Sequence, residues 1–364
     1  MRATVKDVAK LAGVSPKTVS NVINGVVFVR PETRERVEQA LQELDYVPNL
    51  SARGLRNGRS GMIGLALPDL LRPYSAEITH LVVELAHQRG WGVQIEQTAA
   101  QPDREFELLS KARANLVDGL ILNPVNLDDS AVTTAGPLPA VVLIGDVDQD
   151  RVSQVAIDNV GAAREMTQHL LDQGFRRIAV VGTPEIPSGA SGTGRVGGST
   201  DAAGTAAARL RTIGYREALE AAGIRYDPDL EIALDRWSPE GAAVVVGRHL
   251  ETHEPPDALF CFTDTIAFGA LSALWSAGVA VPQQCAVAGF DNIVDSRFTV
   301  PPLTTIDFDR RQFVEAALDL LAERMADKDA KPRRVVVPHR IVSRASTARQ
   351  TTKFTDTGSC QPSR

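Results

Sequence analysis

TVKDVAKLAGVSPKTVSNVIN, residues Thr4 to Asn24, reads as two short helices joined by a tight turn. Thr4 followed three residues later by Asp7 is a capping-box pattern, and Val5, Val8, Ala9 and Ala12 recur at helical spacing. Gly13 stands where that helix should stop, and Val14 packs under the turn. Ser15 then caps a second helix that has Pro16 at its first position. Val19, Val22 and Ile23 face inward, which leaves Pro16, Lys17, Ser20 and Asn21 on the outer face near the second N-terminus. An ordinary helical hairpin with a solvated face would show the same caps. A helix-turn-helix, whose second helix lies in the DNA major groove with its early residues at the base edges, accounts for the outward residue types as well.

Charge supports the second reading. The 364 residues carry a net charge of -6, yet residues 1–60 hold ten Lys and Arg against six Asp and Glu, and the remainder 29 against 39. A basic head is joined to an acidic body, and only the head need meet phosphate. The length suits two or three domains. No apolar run approaches a membrane span, and the polar opening MRATVKDVAK lacks a signal-peptide core, so a cytoplasmic protein with no membrane partner is expected. Cys261, Cys285 and Cys360 have no metal-ligand spacing; structural thiols, no metal site and no cofactor are expected.

Beyond Asn24, Pro31 opens a third helix whose stripe Val37, Ala40, Leu41 and Leu44 completes a three-helix core. Leu50–Asn57 has the length of a two-turn helix that is marginal in isolation, and it sets Leu55 between Arg53 and Arg56. An ordinary linker fits this segment; an apolar wedge flanked by arginines also fits a minor-groove intercalator. From Gly61 strands and helices alternate. MIGLAL (62–67), GVQIEQ (92–97), GLIL (119–122) and AVVLI (140–144) read as buried parallel strands. Helices around 75–89 and 104–115 lie between them. A second series follows: RIAVVG (177–182), a helix ending near Ala222, ALFCF (258–262), a helix from Asp264 to Ala277, and CAVAGF (285–290). A helix over 309–326 and the strand RRVVVP (333–338) come last. The expected architecture is an all-α headpiece (1–48), a hinge (49–60) and an α/β core of two doubly wound lobes (61–343). The chain would cross between lobes near 160, 290 and 325, and a disordered tail (344–364) would close it. The Gly- and Ser-rich stretch 184–208 is expected to be a flexible loop. Its Gly192, Gly194 and Gly197 match a dinucleotide fingerprint in spacing only, since no clean helix opens at the third glycine.

Over nearly its whole length the sequence resembles the LacI/GalR (lactose and galactose repressor) family of bacterial transcription regulators. VKDVAKLAGVSPKTVSNVIN, RPETRERV, YVPNLSARGLRNGRS and IGLALPD carry the likeness in the head, and VAIDN, GFRRIAVVG, LRTIGYREAL, AGFDN and PPLTTI carry it in the body. The resemblance implies a DNA-binding domain, a hinge helix and a core shaped like a periplasmic sugar-binding protein, assembled as a homodimer on a palindromic operator. It puts Pro16, Lys17 and Asn21 at base-reading positions and Leu55 at the intercalating one. Lys suits guanine, Asn suits adenine, and proline offers apolar contact alone. Thr4, Ser15, Thr18 and Asn24 suit caps or phosphate contacts, with Arg53 beside the wedge. The chain departs from the family in Arg30, which stands where a serine-like cap precedes Pro-Glu-Thr-Arg.

Ligands in open α/β lobes gather beyond the carboxyl ends of the strands. Asp69, Tyr74, Asn123, Asp146, Asp264 and Asp291 fall there. Asp69 also reads as a turn residue and Asp264 as a helix cap. The resemblance selects Tyr74, Asn123, Asp146, Arg211, Trp237 and Asp291 as the effector pocket. Thr263 stands where many sugar-responsive members have asparagine. Asp291 and Arg211 can bracket neighbouring hydroxyls while Trp237 offers a sugar ring an apolar face. The expected function is a non-enzymatic, ligand-responsive transcriptional regulator, a repressor controlled by a sugar. Alternatives are a nucleobase-type corepressor or a cytoplasmic solute-binding protein without DNA regulation.

Overall fold

The computed structural model describes residues 3–23, 28–46, 60–110, 116–124, 130–147, 149–184 and 206–348. The chain divides into two compact units, Met1–Gly61 and Met62–Arg364. In the first, helices Val5–Ala12, Pro16–Ile23 and Pro31–Glu43 enclose a core of Val8, Ala9, Ala12, Val19, Val22, Val37 and Ala40. The reciprocal Thr4–Asp7 box starts the first helix. Gly13 ends it with φ 64°, a left-handed conformation that glycine adopts without steric cost. Arg30 precedes the third helix and makes no side-chain cap bond.

The second unit holds two six-stranded sheets. In chain order the strands are β1 (Met62–Leu67), β2 (Gly92–Gln97), β3 (Gly119–Leu122), β4 (Val141–Ile144), β5 (Ser153–Ile157), β6 (Ile178–Thr183), β7 (Glu231–Ala233), β8 (Ala258–Cys261), β9 (Ala286–Phe290), β10 (Thr304–Phe308), β11 (Arg334–Val337) and β12 (His339–Val342). The first lobe is ordered β11-β5-β4-β3-β1-β2 and the second β12-β10-β9-β8-β6-β7. Every pairing is parallel except β10 with β12.

Alternation along the strands explains the double winding. Ile63, Leu65, Ile121, Val142 and Ile144 bury one face of the first sheet under helices Pro73–Gln88 and Arg310–Ala326. Their neighbours Ala66, Leu120, Leu122, Val141 and Leu143 bury the other. A strand covered on both faces is apolar throughout, which is why MIGLAL and GLIL are readable as strands.

Several expectations are corrected. GVQIEQ is an edge strand with a partly exposed alternation, because β2 has a neighbour on one side alone. The helix expected over 104–115 runs Pro102–Leu109 as described, and 111–115 lie outside the described residues. The crossings fall at Asp158, Asp309 and Pro338, so those placed near 290 and 325 move. After β9 the chain stays in the second lobe to add β10, and the helix Arg310–Ala326 lies wholly on the first sheet. Residues 344–348 do not behave as a tail. Ser346 and Thr347 are fully buried, and Ser346 bonds Val287 and Thr304. Residues 47–59, and with them nearly all of the expected hinge (49–60), most of the glycine-rich stretch (185–205) and residues 349–364 lie outside the described residues.

Candidate functional site

On the head, Pro16 and Lys17 are exposed at the start of the second helix, and Asn21 is half-buried one turn further on. The Ser15 hydroxyl accepts from the Thr18 amide at 3.1 Å and lies 2.9 Å from the Thr18 hydroxyl, so both side chains serve the cap. The Thr4 hydroxyl donates to Asp7 at 2.7 Å. Asn24, Arg53 and Leu55 lie outside the described residues.

In the core a cavity of about 840 Å³ opens between the lobes at the carboxyl ends of the strands. Tyr74, Asn123, Asp146, Arg211, Trp237 and Asp291 all line it, so the structure brings together six residues drawn from distant parts of the chain. Asp146 follows β4 in the first lobe, and Asp291 follows β9 in the second. Asn123, with its amide nitrogen turned to the carbonyls, donates to Ile144 at 3.0 Å and Pro124 at 3.2 Å. The Trp237 indole N–H is engaged with the Gly182 carbonyl at 3.2 Å, which leaves ring surface rather than a polar atom for the cavity.

Arg211 is the centre of the arrangement. Its guanidinium stacks 3.4 Å from the Phe290 ring centroid, donates to the Phe262 carbonyl and gives Nε to Asn159 Oδ1 at 2.8 Å. Its Nη2 stands 4.0 Å from Asp291 Oδ1, beyond hydrogen-bond reach. Both groups are buried, at 5% and 7% exposure. Burial lowers the pKa of Arg211 and pushes that of Asp291 up to about 6, with Arg211 and Arg310 opposing the rise. Desolvation thus outweighs their mutual attraction across that gap. Burial likewise raises Asp146, against a bond from Asn159 at 2.6 Å and the Arg334 ion pair at 2.8 Å.

Asn159 was missed by sequence reasoning. It lines the cavity, and its single amide joins Asp146 of the first lobe to Arg211 of the second. Its signal was present in VAIDN: Asn159 stands just beyond the carboxyl end of β5. Phe268 and Phe313 also line the cavity. Asp69 lines the rim and acts as a turn residue, accepting from the Leu71 amide at 3.0 Å and pairing with Arg72.

Asp264 is corrected. Thr263 caps the helix Asp264–Ser276, with its hydroxyl accepting from Ile266. The Asp264 carboxyl turns inward to Ile293 N (2.9 Å), Ser296 Oγ (2.5 Å) and Thr305 Oγ1 (2.6 Å). Burial, then the neighbouring Asp291, pushes it up to about 8. Because the folded value lies above the unfolded one, the native state keeps this proton and stability falls as pH rises from roughly 4 to 8. Between pH 7 and 9 this one group removes about 1 kcal/mol. Urea unfolding of Asp264→Asn at both pH values should show that much less loss than the wild type; an equal loss in both proteins excludes Asp264 as its source.

Among the described residues no helix is long and apolar enough to cross a membrane, and no His, Cys, Asp and Glu cluster could hold a metal ion. Residues 4–49 match the bacterial regulatory proteins of the lacI family, and residues 167–347 match the periplasmic binding protein-like domain. The chain is similar to the HTH-type transcriptional repressor PurR of Histophilus somni, 32% identical over 354 residues that cover 94% of this chain and 98% of that protein. It is similar in structure to the lac repressor dimer bound to operator and the anti-inducer ONPF, with a TM-score of 0.80 and 28% identity over 95% of this chain and 99% of that one. The transcriptional regulator CelR in its cellobiose complex gives 0.66 and 30% over 95% and 100%. A capped helix pair that offers Lys17 outward, a two-lobed cleft and a relative aligned almost end to end lead to one assignment: the chain belongs to the lacI family of bacterial regulatory proteins, as a ligand-responsive, DNA-binding transcriptional regulator and not an enzyme.

Proposed function

We propose that the protein is a homodimeric, cytoplasmic repressor that binds a palindromic operator and is controlled by a sugar held in the cleft. Lys17 and Asn21 read bases, and Pro16 makes apolar contact. Thr4, Ser15, Thr18, Asn24 and Arg53 fix the register on the backbone, and Leu55 wedges into the minor groove. The effector is held by Tyr74, Asn123, Asp146, Arg211, Trp237 and Asp291. The lac repressor structure, a dimer on its operator, supports the assembly, and the cellobiose complex of CelR supports the ligand class.

The observation that carries the ligand reading is the Arg211–Asp291 spacing of 4.0 Å. A hydroxyl placed between them accepts from the guanidinium and donates to the carboxylate, replacing solvation that both groups have lost. A second reading is favoured by the rings of Tyr74, Trp237, Phe268 and Phe313 in the cavity wall, which suit a flat nucleobase. Selection from a pool of palindromic duplexes at fixed salt, repeated with sugars and nucleobases, separates the two. A sugar that shifts operator affinity 5- to 150-fold supports the first. A shift from nucleobases alone replaces it with the second, and no preferred duplex under any condition overturns the operator reading.

Lys17→Ala is expected to cost roughly 1–3 kcal/mol at particular base pairs of the selected operator, while binding to unrelated duplexes keeps most of its strength. Competition titrations against singly substituted operators measure this. Equal weakening on every duplex reduces Lys17 to a phosphate contact.

A further inference from the structure

Glu77 does not line the effector cavity, but Tyr74, one helical turn earlier on Pro73–Gln88, does. The two carboxylate oxygens of Glu77 go to different places. Oε1 accepts from the Val294 amide at 2.8 Å, in the second lobe beyond Asp291. Oε2 pairs with Arg310 Nε at 3.0 Å, and the two side chains are 23% and 14% exposed. The remaining nitrogens of Arg310 donate to the carbonyls of Asp291 and Asn292, the latter at 2.9 Å.

The turn so gripped is an unusual one. Asn292, at φ 49°, takes the left-handed conformation that asparagine tolerates best among L-residues, whereas Asp291, at φ 105°, lies outside the ordinary left-handed well and depends on its surroundings. Asn292 is held again through its side chain, by Asp307 at 3.0 Å and Arg344 at 2.6 Å. Arg310 stands directly after the crossing at Asp309, on the helix that covers the first sheet. A chain of contacts therefore runs from the effector carboxylate through its strained backbone to Arg310, and from there to a first-lobe carboxylate. On the far side of the turn lies a second cavity of about 880 Å³ lined by Glu77, Asn292, Val294, Phe308 and Arg310.

Resting on the reading of Asp291 as an effector residue, we propose that Glu77 is a positioning residue: an interlobe latch that reports the state of the Asp291 turn to the first lobe through Arg310 and Val294. A bond network becomes a signal when both ends bias one element, and the turn is that element.

The test is a hydrogen-exchange cycle on the full-length protein, with Asp291→Asn as the perturbation. In the wild-type background Asp291→Asn is expected to change exchange of the helix amides at 75–79 at least 5-fold. In a Glu77→Ala background the same substitution should leave them unchanged, and Arg310→Ala should behave alike. Glu77→Gln, which keeps an acceptor for the Val294 amide and loses the charge, should retain Val294 protection yet still uncouple the helix, an outcome that a merely structural bond does not give. Undiminished transmission from Asp291→Asn to residues 75–79 in both Glu77 variants overturns the proposal. The cycle needs neither operator nor effector, so absence of a selected duplex fails the regulator reading while this result still decides the latch. Where wild type does select a duplex, Glu77→Ala should also change its affinity at least 5-fold.

Discussion

Arg211→Ala is expected to destabilise the core by about 3–5 kcal/mol at pH 8 and to abolish any response to the effector. The substitution strands Asp291, 7% exposed, and takes the donor from Asn159 Oδ1 and from the Phe262 carbonyl. It also removes the cation stacked on Phe290. Asp291 has one escape, which is to bind a proton. Its value, already pushed up to about 6, must rise once the guanidinium that holds it down is gone. A carboxyl raised in the folded state confers stability that is present at low pH and lost as pH climbs through its folded value. In the variant that window extends above pH 6, so the deficit against wild type should shrink at pH 5 and be full at pH 8. Urea unfolding at the two pH values reads both quantities. A deficit of the same size at pH 5 and 8 would show that lost packing, and not the stranded charge, is responsible.

Gly214→Ala is expected to be nearly as damaging, from a single methyl. A Cβ there would stand 2.1 Å from the Val160 carbonyl oxygen and 2.9 Å from the Arg164 amide nitrogen, both backbone atoms that cannot rotate away. The helices Asn159–Asp172 and Ala206–Ala221 must then separate, at the upper end of the roughly 1–3 kcal/mol typical of overpacking. Arg211 lies one turn before Gly214 and Asn159 one residue before Val160, so separation stretches the 2.8 Å bond between them. Loss of effector response should therefore precede loss of fold. Gly247 is the control: nothing lies within 4 Å of its added Cβ, and Gly247→Ala should gain up to about 1 kcal/mol of helix propensity. Similar melting shifts for the two variants would remove close helix packing as the explanation.

Gly214 also shows what the sequence conveys and what it withholds. A glycine inside LRTIGYREAL contradicts helix propensity, and only the facing helix explains it. The strands of the sheet interiors are legible because both their faces are apolar. β5 is not, since Ser153 and Gln154 are buried by virtue of specific bonds: Gln154 donates to Gly145 at 2.7 Å, and Ser153 accepts from Arg333 at 3.2 Å. β10 hides behind Pro301 and Pro302, with Thr304 and Thr305 buried and bonded. The consequence for the site is direct. With β5 unread as a strand, Asn159 is not placed at a strand end and only the VAIDN likeness marks it, whereas Asp146 and Asp291 follow strands that are readable. Arg211 and Trp237 sit on no strand end and enter through the family resemblance alone. The inward turn of Asp264 is beyond local reading, because its partners lie 29 to 41 residues away.

The three crossings have a consequence for how the protein is made. β1 to β5 leave the ribosome first, yet the part of the apolar face formed by Ile121, Val142, Ile144 and Val155 is covered by the late helix that carries Val314, Ala317, Leu318 and Leu321, and β11 pairs with β5 later still. At roughly 5–20 residues per second, on the order of ten to thirty seconds pass between emergence of β5 and of that helix. Throughout, the nascent first lobe presents a half-covered sheet face, sheltered over β1 and β2 by Pro73–Gln88 alone, and an unpaired strand edge, while the second lobe acquires most of its strands. The lobe encoded first thus stays open until residues 310–337 arrive, just before β12 closes the second lobe, and its solubility during translation depends on whatever shelters that region until the covering helix arrives.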